Sequence, residues 1–531
     1  MSKKKTRKKL SEEFGKLPDH TYFDGDMGKI GAYFDYRWDK SIDDFLIDDI
    51  TASDLDLDRV FRNVNNCGSA SGEQYLYYML RSPCTDQTGY SKRRSLINFM
   101  NSFPEKRLDL QMIFSRLGRN RKADVSNAFK PKDHRPYMFF VYLLLSLCLI
   151  AGAVCFAVFR SSFFSSALAV CLFLNVMTHE MMTRKIHTDL ATINYSVGMV
   201  FASKSIKKLL GNELNEWLSP MYEAGDKLKS LLRIGIVSLE PTGTIEDFIN
   251  AVLLLDLISY EFLKFKLGSH HGNIFTLHEN IGMLDAAISA ASYRMYLENW
   301  CEPDIDFSAG KKACISGNNL YHPLIKSPVS NSLEASAPLL VTGSNASGKS
   351  TYLKTAALSA LLSQSICTCP GDSYSATAFR IFSSMAIRDD LLAGESYYIA
   401  EIKSLKRILE YMSSGKNVLC VVDEVLRGTN TIERIAASSE ILNALNRENV
   451  ICIAATHDLE LCTLLSGVYS LAHFKEYING NDISFDYLVK SGPATSRNAI
   501  KLLSMMGFDK SIVGGADMRA QKYITTGNWE F

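Results

Sequence analysis

The longest uninterrupted apolar pattern in the chain is YMFFVYLLLSLCLIAGAVCFAVF, from Tyr137 to Phe159, twenty-three residues without a charge. At 1.5 Å per residue such a helix crosses a hydrocarbon core of about 30 Å, and soluble helices of that length carry a polar face that this one lacks. A second run, FFSSALAVCLFLNVM from Phe163 to Met177, follows the turn Arg160-Ser161-Ser162. It is shorter, and flanking Ser and Thr extend it enough to cross. The pattern predicts a two-helix transmembrane hairpin over 137–178.

Residues 190–300 carry helical periodicity. IEDFINAVLLLDLISYEFLKFKL follows Thr244, with Asp247 placed to complete a capping-box-like start. Asp256, Glu261 and Lys264 make this run a bundle helix rather than a third span. LHENIGMLDAAISAASYRMYLENW, Leu277 to Trp300, again places apolar residues three and four apart. From about Gly317 the texture changes to short unbroken runs, PLLVTG, VLCVVDE and VICIAATH, alternating with helical segments. Such runs predict central strands of a parallel sheet, whose ligands gather at the carboxyl ends of the strands. The partition is therefore a basic N-terminal tail, 1–47; a helical core segment, 48–136; the hairpin, 137–178; a second helical core segment, 179–315; and an α/β domain, 316–531.

Charge refines this picture in two places. The 58 Lys and Arg against 57 Asp and Glu leave no global basic surface to announce nucleic acid. Locally, six Lys and Arg lie between Lys3 and Lys9, followed by SEEFGKLPDH rather than the apolar stretch of a signal peptide. That segment reads as a solvated tail, or as one drawn to anionic lipid or nucleic-acid phosphate. Arg116, Arg119, Arg121, Lys122, Lys130, Lys132 and Arg135 precede the first apolar helix, Arg184 and Lys185 follow the second, and only Arg160 occupies the turn. The positive-inside rule puts both large flanks in the cytoplasm, in a membrane of the bacterial inner-membrane kind. The twelve cysteines show no CxxC pair; Cys367 and Cys369 stand too close for a zinc knuckle, and His270-His271 has no third ligand nearby. They read as structural residues in a reducing cytosol, without structural metal.

The strand ends carry the chemistry. Gly343-Ser344-Asn345-Ala346-Ser347-Gly348-Lys349-Ser350 fits G-x-x-x-x-G-K-[ST] between an apolar strand and the helical run TYLKTAALSALL. Backbone N–H groups of such a loop, with the helix N-terminus, cradle the phosphates of ATP. Lys349 would bridge the β- and γ-phosphates, Ser350 would ligate Mg²⁺, and Thr351 would lie near the α-phosphate. VLCVVDE ends in Asp423, suited to the Mg²⁺ shell, and Glu424, suited to polarise the attacking water. A third strand ends in Thr456-His457-Asp458, where His457 could sense or orient the γ-phosphate.

Read together, these stretches resemble the ATPase domain of the MutS family of DNA mismatch-repair proteins, an α/β P-loop NTPase of the ABC type. The resembling motifs, in order, are GSNASGKSTYLKTAALSAL, DDLLAGESYYIAEI (Asp389 to Ile402), VVDEVLRGTNTIE and ATHDLEL. The resemblance implies a head-to-tail homodimer in which Ser396 reaches the γ-phosphate bound by the opposite subunit. Glu401 matches the acidic position closing that motif, and Arg427-Gly428-Thr429-Asn430-Thr431 would line the seam. HPLI at His322–Ile325 resembles the strand leading into the domain, and GPATSRNAIKLLSMMGFDKSIVGGADMRAQKY the helical tail that supports dimerisation. More weakly, Asp48 to Pro83, with Gly72, Leu80 and Arg81, resembles the start of the family's all-helical core, and LHENIGMLDAAISAASY the core helix returning to the ATPase.

The departures from that family are expected to matter for function. The stretch before Asp48 has no room for a mismatch-reading domain, and residues 190–300 look too short for lever helices plus a DNA clamp. The Phe-x-Glu at Phe474-Lys475-Glu476 falls inside the ATPase domain and reads as structural. Near Val329, where the family places an aromatic on adenine, none stands. Two function classes follow: a membrane-anchored ATPase that binds branched or displaced DNA through segments 3–9 and 116–135, or an ATP-gated membrane switch that binds no nucleic acid. A transporter is disfavoured, since a dimer would supply only four spans.

Overall fold

The computed structural model describes residues 3–120, 137–229, 245–344, 347–385, 397–479, 482–493, 500, 503–504, 506–527 and 529. The chain forms two compact units: Met1–Asp43 with Phe61–Met79 and Lys92–Tyr296, and Asp44–Val60 with Leu80–Ser91 and Leu297–Phe531. The predicted boundary at 316 therefore moves to Leu297, and two short N-terminal segments join the C-terminal unit. Hydrogen bonding explains their allegiance. Cys84 N donates to Gln364 O, Gln364 Nε2 donates back to Cys84 O, and Asp54 accepts from Ser383 Oγ and Met385 N.

The N-terminal helices are α1 (Lys3–Glu13), α2 (Asp26–Asp39), α3 (Asp49–Asp54), α4 (Leu57–Val64), α5 (Ala70–Arg81), α6 (Gln87–Ser102) and α7 (Pro104–Leu117). The expectation of a tail over 1–47 is corrected here. α1 buries no side chain of its own, yet Arg7 pairs with Glu105 and Asp109 on α7, and Gly15 N donates to Ser292 Oγ. Charge complementarity holds this segment where apolar burial does not.

The apolar runs form α8 (Tyr137–Phe159) and α9 (Ser162–Leu210), joined through Arg160 at φ 46° and capped by the Ser161 side chain on Phe163 N. Two stretches, Tyr137–Phe159 and Ser162–Arg184, are long and apolar enough to cross a membrane, and only 17% and 6% of them is buried within the protein. α9 differs from the expected short helix. It runs 49 residues without interruption, because the charges after Met177 end the hydropathy and not the hydrogen-bond ladder. Its far end enters the helical unit, where Tyr195 is buried and its hydroxyl accepts from Ser71 N. α10 (Asn215–Lys227), α11 (Ile245–Leu253), α12 (Leu255–Ser269) and α13 (His271–Tyr296) complete the unit. The expected single helix after Thr244 is broken at Leu254, φ 51°, and the helix expected from Leu277 starts six residues earlier and ends before Trp300. Thr244 itself lies outside the described residues.

The C-terminal unit holds β1 (Asp304–Asp306), β2 (Ile315–Leu320), β3 (Asn331–Ala335), β4 (Leu339–Thr342), α14 (Lys349–Ser365), β5 (Ser373–Thr377), β6 (Arg380–Ser384), α15 (Tyr397–Met412), β7 (Val418–Asp423), α16 (Thr431–Ala444), β8 (Val450–Thr456), α17 (Leu459–Leu464), β9 (Ser470–Asn479), β10 (Asp482–Ser491) and α18 (Lys510–Thr526). The main sheet has the order β10-β9-β4-β8-β7-β6, parallel throughout except for the edge strand β10. All seven residues of β8 are buried, as a strand covered on both faces requires. A smaller sheet, β1-β5-β2-β3, lies earlier in the unit. His322–Ile325, expected as a strand, is a turn after β2. Ile325 N donates to His322 O and Leu324 N to His322 Nδ1, while Pro323 has no N–H for a ladder.

Candidate functional site

β4, β8 and β7 are neighbours, so their carboxyl ends bring three sequence-distant clusters to one place. Gly343 follows β4 at φ 149° and Gly348 opens α14 at φ 108°, conformations that a side chain resists. Space forbids one too: a Cβ on Gly343 would meet Phe474 O at 3.1 Å, and one on Gly348 would meet the Tyr487 ring at 3.3 Å. Phe474 thus packs under the loop, in line with a structural role. Asn345 and Ala346 lie outside the described residues.

Lys349 is buried, and its Nζ donates to Gly343 O and Ser344 O at 2.8 and 2.9 Å, drawing the ammonium across the mouth of the loop. Burial lowers its pKa, opposed by Glu424 and Asp423. Ser350 Oγ donates to Asp423 Oδ2, while Asp423 Oδ1 is buried with no hydrogen-bond partner. Burial raises the Asp423 pKa against the Ser350 bond. A carboxylate oxygen left bare beside a hydroxyl is costly in a protein interior, and a divalent cation bound by oxygen ligands would satisfy both groups. The residues fit Mg²⁺. Ser344 Oγ and Ser347 Oγ are likewise buried without partners at the loop.

Glu424 is mostly buried and stands at φ 54°, a conformation rare outside glycine. Its Oε2 is met by Arg427 Nε at 2.5 Å and His457 Nδ1 at 3.2 Å. Burial alone would raise its pKa, but these two partners pull it down to about 2. The same contact raises the pKa of His457 against its burial. Glu401, from α15, reaches into this turn: its Oε1 accepts from Leu426 N, itself at φ 59°. The loop after β8 is anchored by Arg434, which grips Asp458 with Nε and Nη2. Asn430 caps α16 by accepting from Ile432 N. Ser396 lies outside the described residues.

A cavity of about 380 Å³ opens beside the loop, lined by Gly348 to Tyr352, Glu424 and Arg427 on one side and by His322, Val329, Phe474 and Tyr487 on the other. Tyr487 escaped sequence reading. It sits in a bulge of β10, where pairing with β9 shifts between Phe485 and Val489, and its φ is 53°. Asn331 pins the bulge from both sides, with Nδ2 donating to Tyr487 O and Oδ1 accepting from Val489 N. An aromatic ring from the edge strand thus lines the same cavity as Val329. A Tyr in an irregular strand 138 residues beyond the loop lysine gave no local signal.

Residues 339–523 match the family described as MutS domain V. The chain is similar to the MutS family over these 185 of its 531 residues. It is 30% identical over 200 residues to the DNA mismatch repair protein MutS of Thermus aquaticus, covering 37% of this chain and 24% of that protein. It is 33% identical over 179 residues to the DNA mismatch repair protein MutS 2 of Haloarcula marismortui, covering 33% and 19% respectively. The chain thus spans less than a quarter of the length of these MutS relatives, and the likeness concerns the ATPase domain.

Proposed function

We propose that this chain is a membrane-anchored MutS-family ATPase, working as a head-to-tail homodimer that hydrolyses Mg²⁺-bound ATP and engages DNA through its basic segments. The observation that carries the ATPase reading is the convergence of Lys349, the Ser350–Asp423 pair and the Glu424–His457 pair at three adjacent strand ends. Phosphates would exchange Lys349 from the loop carbonyls onto the nucleotide and take the N–H groups at the start of α14. Ser350 and Asp423 would hold Mg²⁺, which neutralises charge on the phosphate oxygens. Glu424 would orient the attacking water, with His457 and Arg427 fixing its carboxylate and Glu401 fixing the turn beneath it. Val329 and Tyr487 would flank the base.

Exposed Ile399, Ile402 and Ile432, on the helices beside the site, support a dimer seam there. Outward-facing apolar side chains on α8 and the first half of α9, such as Leu144 and Phe173, support insertion in a bilayer. Of the basic segments, 3–9 forms α1, and 121–135 lies outside the described residues. A switch that acts on the membrane without DNA is the second reading, favoured by the continuity of α9 from the apolar stretch into the helical unit.

The ATPase rate of the detergent-solubilised protein, measured with duplex, mismatched and branched DNA at two salt concentrations, separates the two. Stimulation that fades with salt is expected for phosphate contacts. Indifference to every DNA leaves the membrane switch.

A further inference from the structure

Three polar side chains interrupt the apolar surface where α8 and α9 face α11 and α12, and all three are spent on the same feature. Ser146 Oγ donates to Leu253 O, Asn175 Nδ2 donates to Val252 O at 2.8 Å, and His179 Nε2 lies 2.7 Å from Asp256 Oδ2. The feature is the break at Leu254. A helix that stops there leaves the carbonyls of its last turn without intrahelical donors. In water the solvent would supply them; here Ser146 and the fully buried Asn175 do so. Around the break, Leu254 and Leu257 pack with Tyr142 into an apolar cluster flanked by Met138, Leu145 and Met182.

Depth along the helices is informative. Ser146 is nine residues from Tyr137, roughly 13 Å inside the apolar run of α8, and Asn175 is two residues from Met177, just inside the cytoplasmic end of the apolar run of α9. The break is therefore level with residues inside the proposed span, toward its cytoplasmic end. Irregular backbone survives at such depth only when buried in protein with its polar groups satisfied; the Leu253 and Val252 carbonyls meet that condition, while Asn175 Oδ1 is itself buried without a hydrogen-bond partner. Asp256, one of the three charges that argued for a bundle helix, is the residue His179 Nε2 meets. The outward side chains nearby, Phe248, Ile249 and Leu255, are 65%, 44% and 40% exposed and continue the apolar surface of α8 and α9.

We propose that residues 248–257 dip into the cytoplasmic leaflet beside the hairpin, docked by Ser146, Asn175 and His179, and present Phe248, Ile249 and Leu255 to lipid acyl chains. This rests on the membrane reading above. The partner is lipid, because the exposed side chains are purely apolar and run on from helices that themselves bury almost nothing outward. The hairpin is then a receptor for a third inserted element, and that element leads through α12 and α13 directly to Leu297, where the ATPase-bearing unit resumes.

The test is photo-crosslinking of the full chain in vesicles of phosphatidylethanolamine and phosphatidylglycerol. p-Benzoylphenylalanine replaces, one at a time, Phe248, Leu255, Leu147 on the outer face of α8, and Leu464 on α17, and lipid adducts are read by mass. Adducts at 147, 248 and 255 and none at 464 are expected. No adduct at 147 overturns the membrane reading itself. An adduct at 147 with none at 248 and 255 overturns the dip and leaves that reading standing. Pairing Asn175→Leu with Ser146→Ala should cut the yield at 248 and 255 several-fold while 147 is unchanged; undiminished yield there overturns docking by these side chains.

Discussion

His457 Nδ1 lies 3.2 Å from the Oε2 of Glu424, and the residue that would activate water is thereby tied to the residue at the end of the next strand. Glu424→Gln keeps the shape but cannot accept a proton. ATP binding should persist while turnover falls by about 10²–10⁴-fold, the usual worth of general-base catalysis. Filter binding against phosphate release separates the two effects, and normal hydrolysis by this variant would falsify the assignment of the base.

The same pair predicts a pH dependence. Glu424 is held down to about 2, so it stays ionised through neutrality, whereas His457 is raised above its usual range by that carboxylate. For stability, the depressed Glu424 contributes above the unfolded carboxyl value of about 4.3 and loses its contribution as pH falls toward 2. The raised His457 contributes fully below about 6.5 and loses its contribution as pH climbs through its folded value. In catalysis the deprotonated imidazole frees Glu424 to take a proton, so kcat should rise as pH passes above the ordinary imidazole range. His457→Gln should flatten that limb in a pH–rate profile.

Lys349→Ala should abolish ATP binding, and Ser396→Ala should slow hydrolysis at the neighbouring subunit's site. Mixing the two impaired variants would regenerate one complete site per mixed dimer. Partial recovery of ATPase activity on titrating one into the other is the expected outcome; a flat response at every ratio would count against shared sites.

Tyr487→Ala should weaken nucleotide affinity by roughly tenfold, since an aromatic face under a base is worth about 1–3 kcal/mol. Asn331→Ala should approach the same loss indirectly, by releasing the bulge that aims the ring. Titration with a fluorescent ATP analogue measures both, and unchanged affinity in Tyr487→Ala would move the base elsewhere in the cavity.

In the helical unit, a Cβ on Gly72 would fall 2.2 Å from Asp285 Oδ2, and that carboxylate accepts from Gly68 N, Ser69 N and Ser69 Oγ at the start of α5. Burial lifts its pKa to about 6 against the bonds from Ser69 and Gly68. Asp285→Ala strands two buried donors on Ser69 and the part-buried Gly68 N, and should cost about 2–4 kcal/mol, read by denaturant unfolding in detergent. Gly72→Ala should be at least as disruptive, because the clash is with a carboxylate that the helix start requires.

The strand ends were legible because a buried parallel strand leaves an unbroken Val/Leu/Ile run, and polar clusters after such runs stand out. Gly343, Lys349, Asp423, Glu424 and His457 all follow from that contrast. Three features were hidden. α9 outlasts its apolar stretch because Arg184 and its neighbours end hydropathy without ending helicity. The break at Leu254 sits inside an intact 3.6-residue periodicity, and is held open by donors about 80 and 110 residues away in sequence, Asn175 and Ser146. Tyr487 depends on a bulge set by Asn331, and no local rule announces a bulge fixed by a distant amide.

The 49 residues of α9 form one hydrogen-bonded ladder roughly 73 Å long. Nothing along it acts as a joint. Tyr195 anchors it about 50 Å from the tip near Arg160, so a swing of about 5° there would sweep the tip through roughly 4 Å. Torque applied to the helical unit is therefore delivered at the tip as lateral displacement, with no flexible link in which to dissipate it.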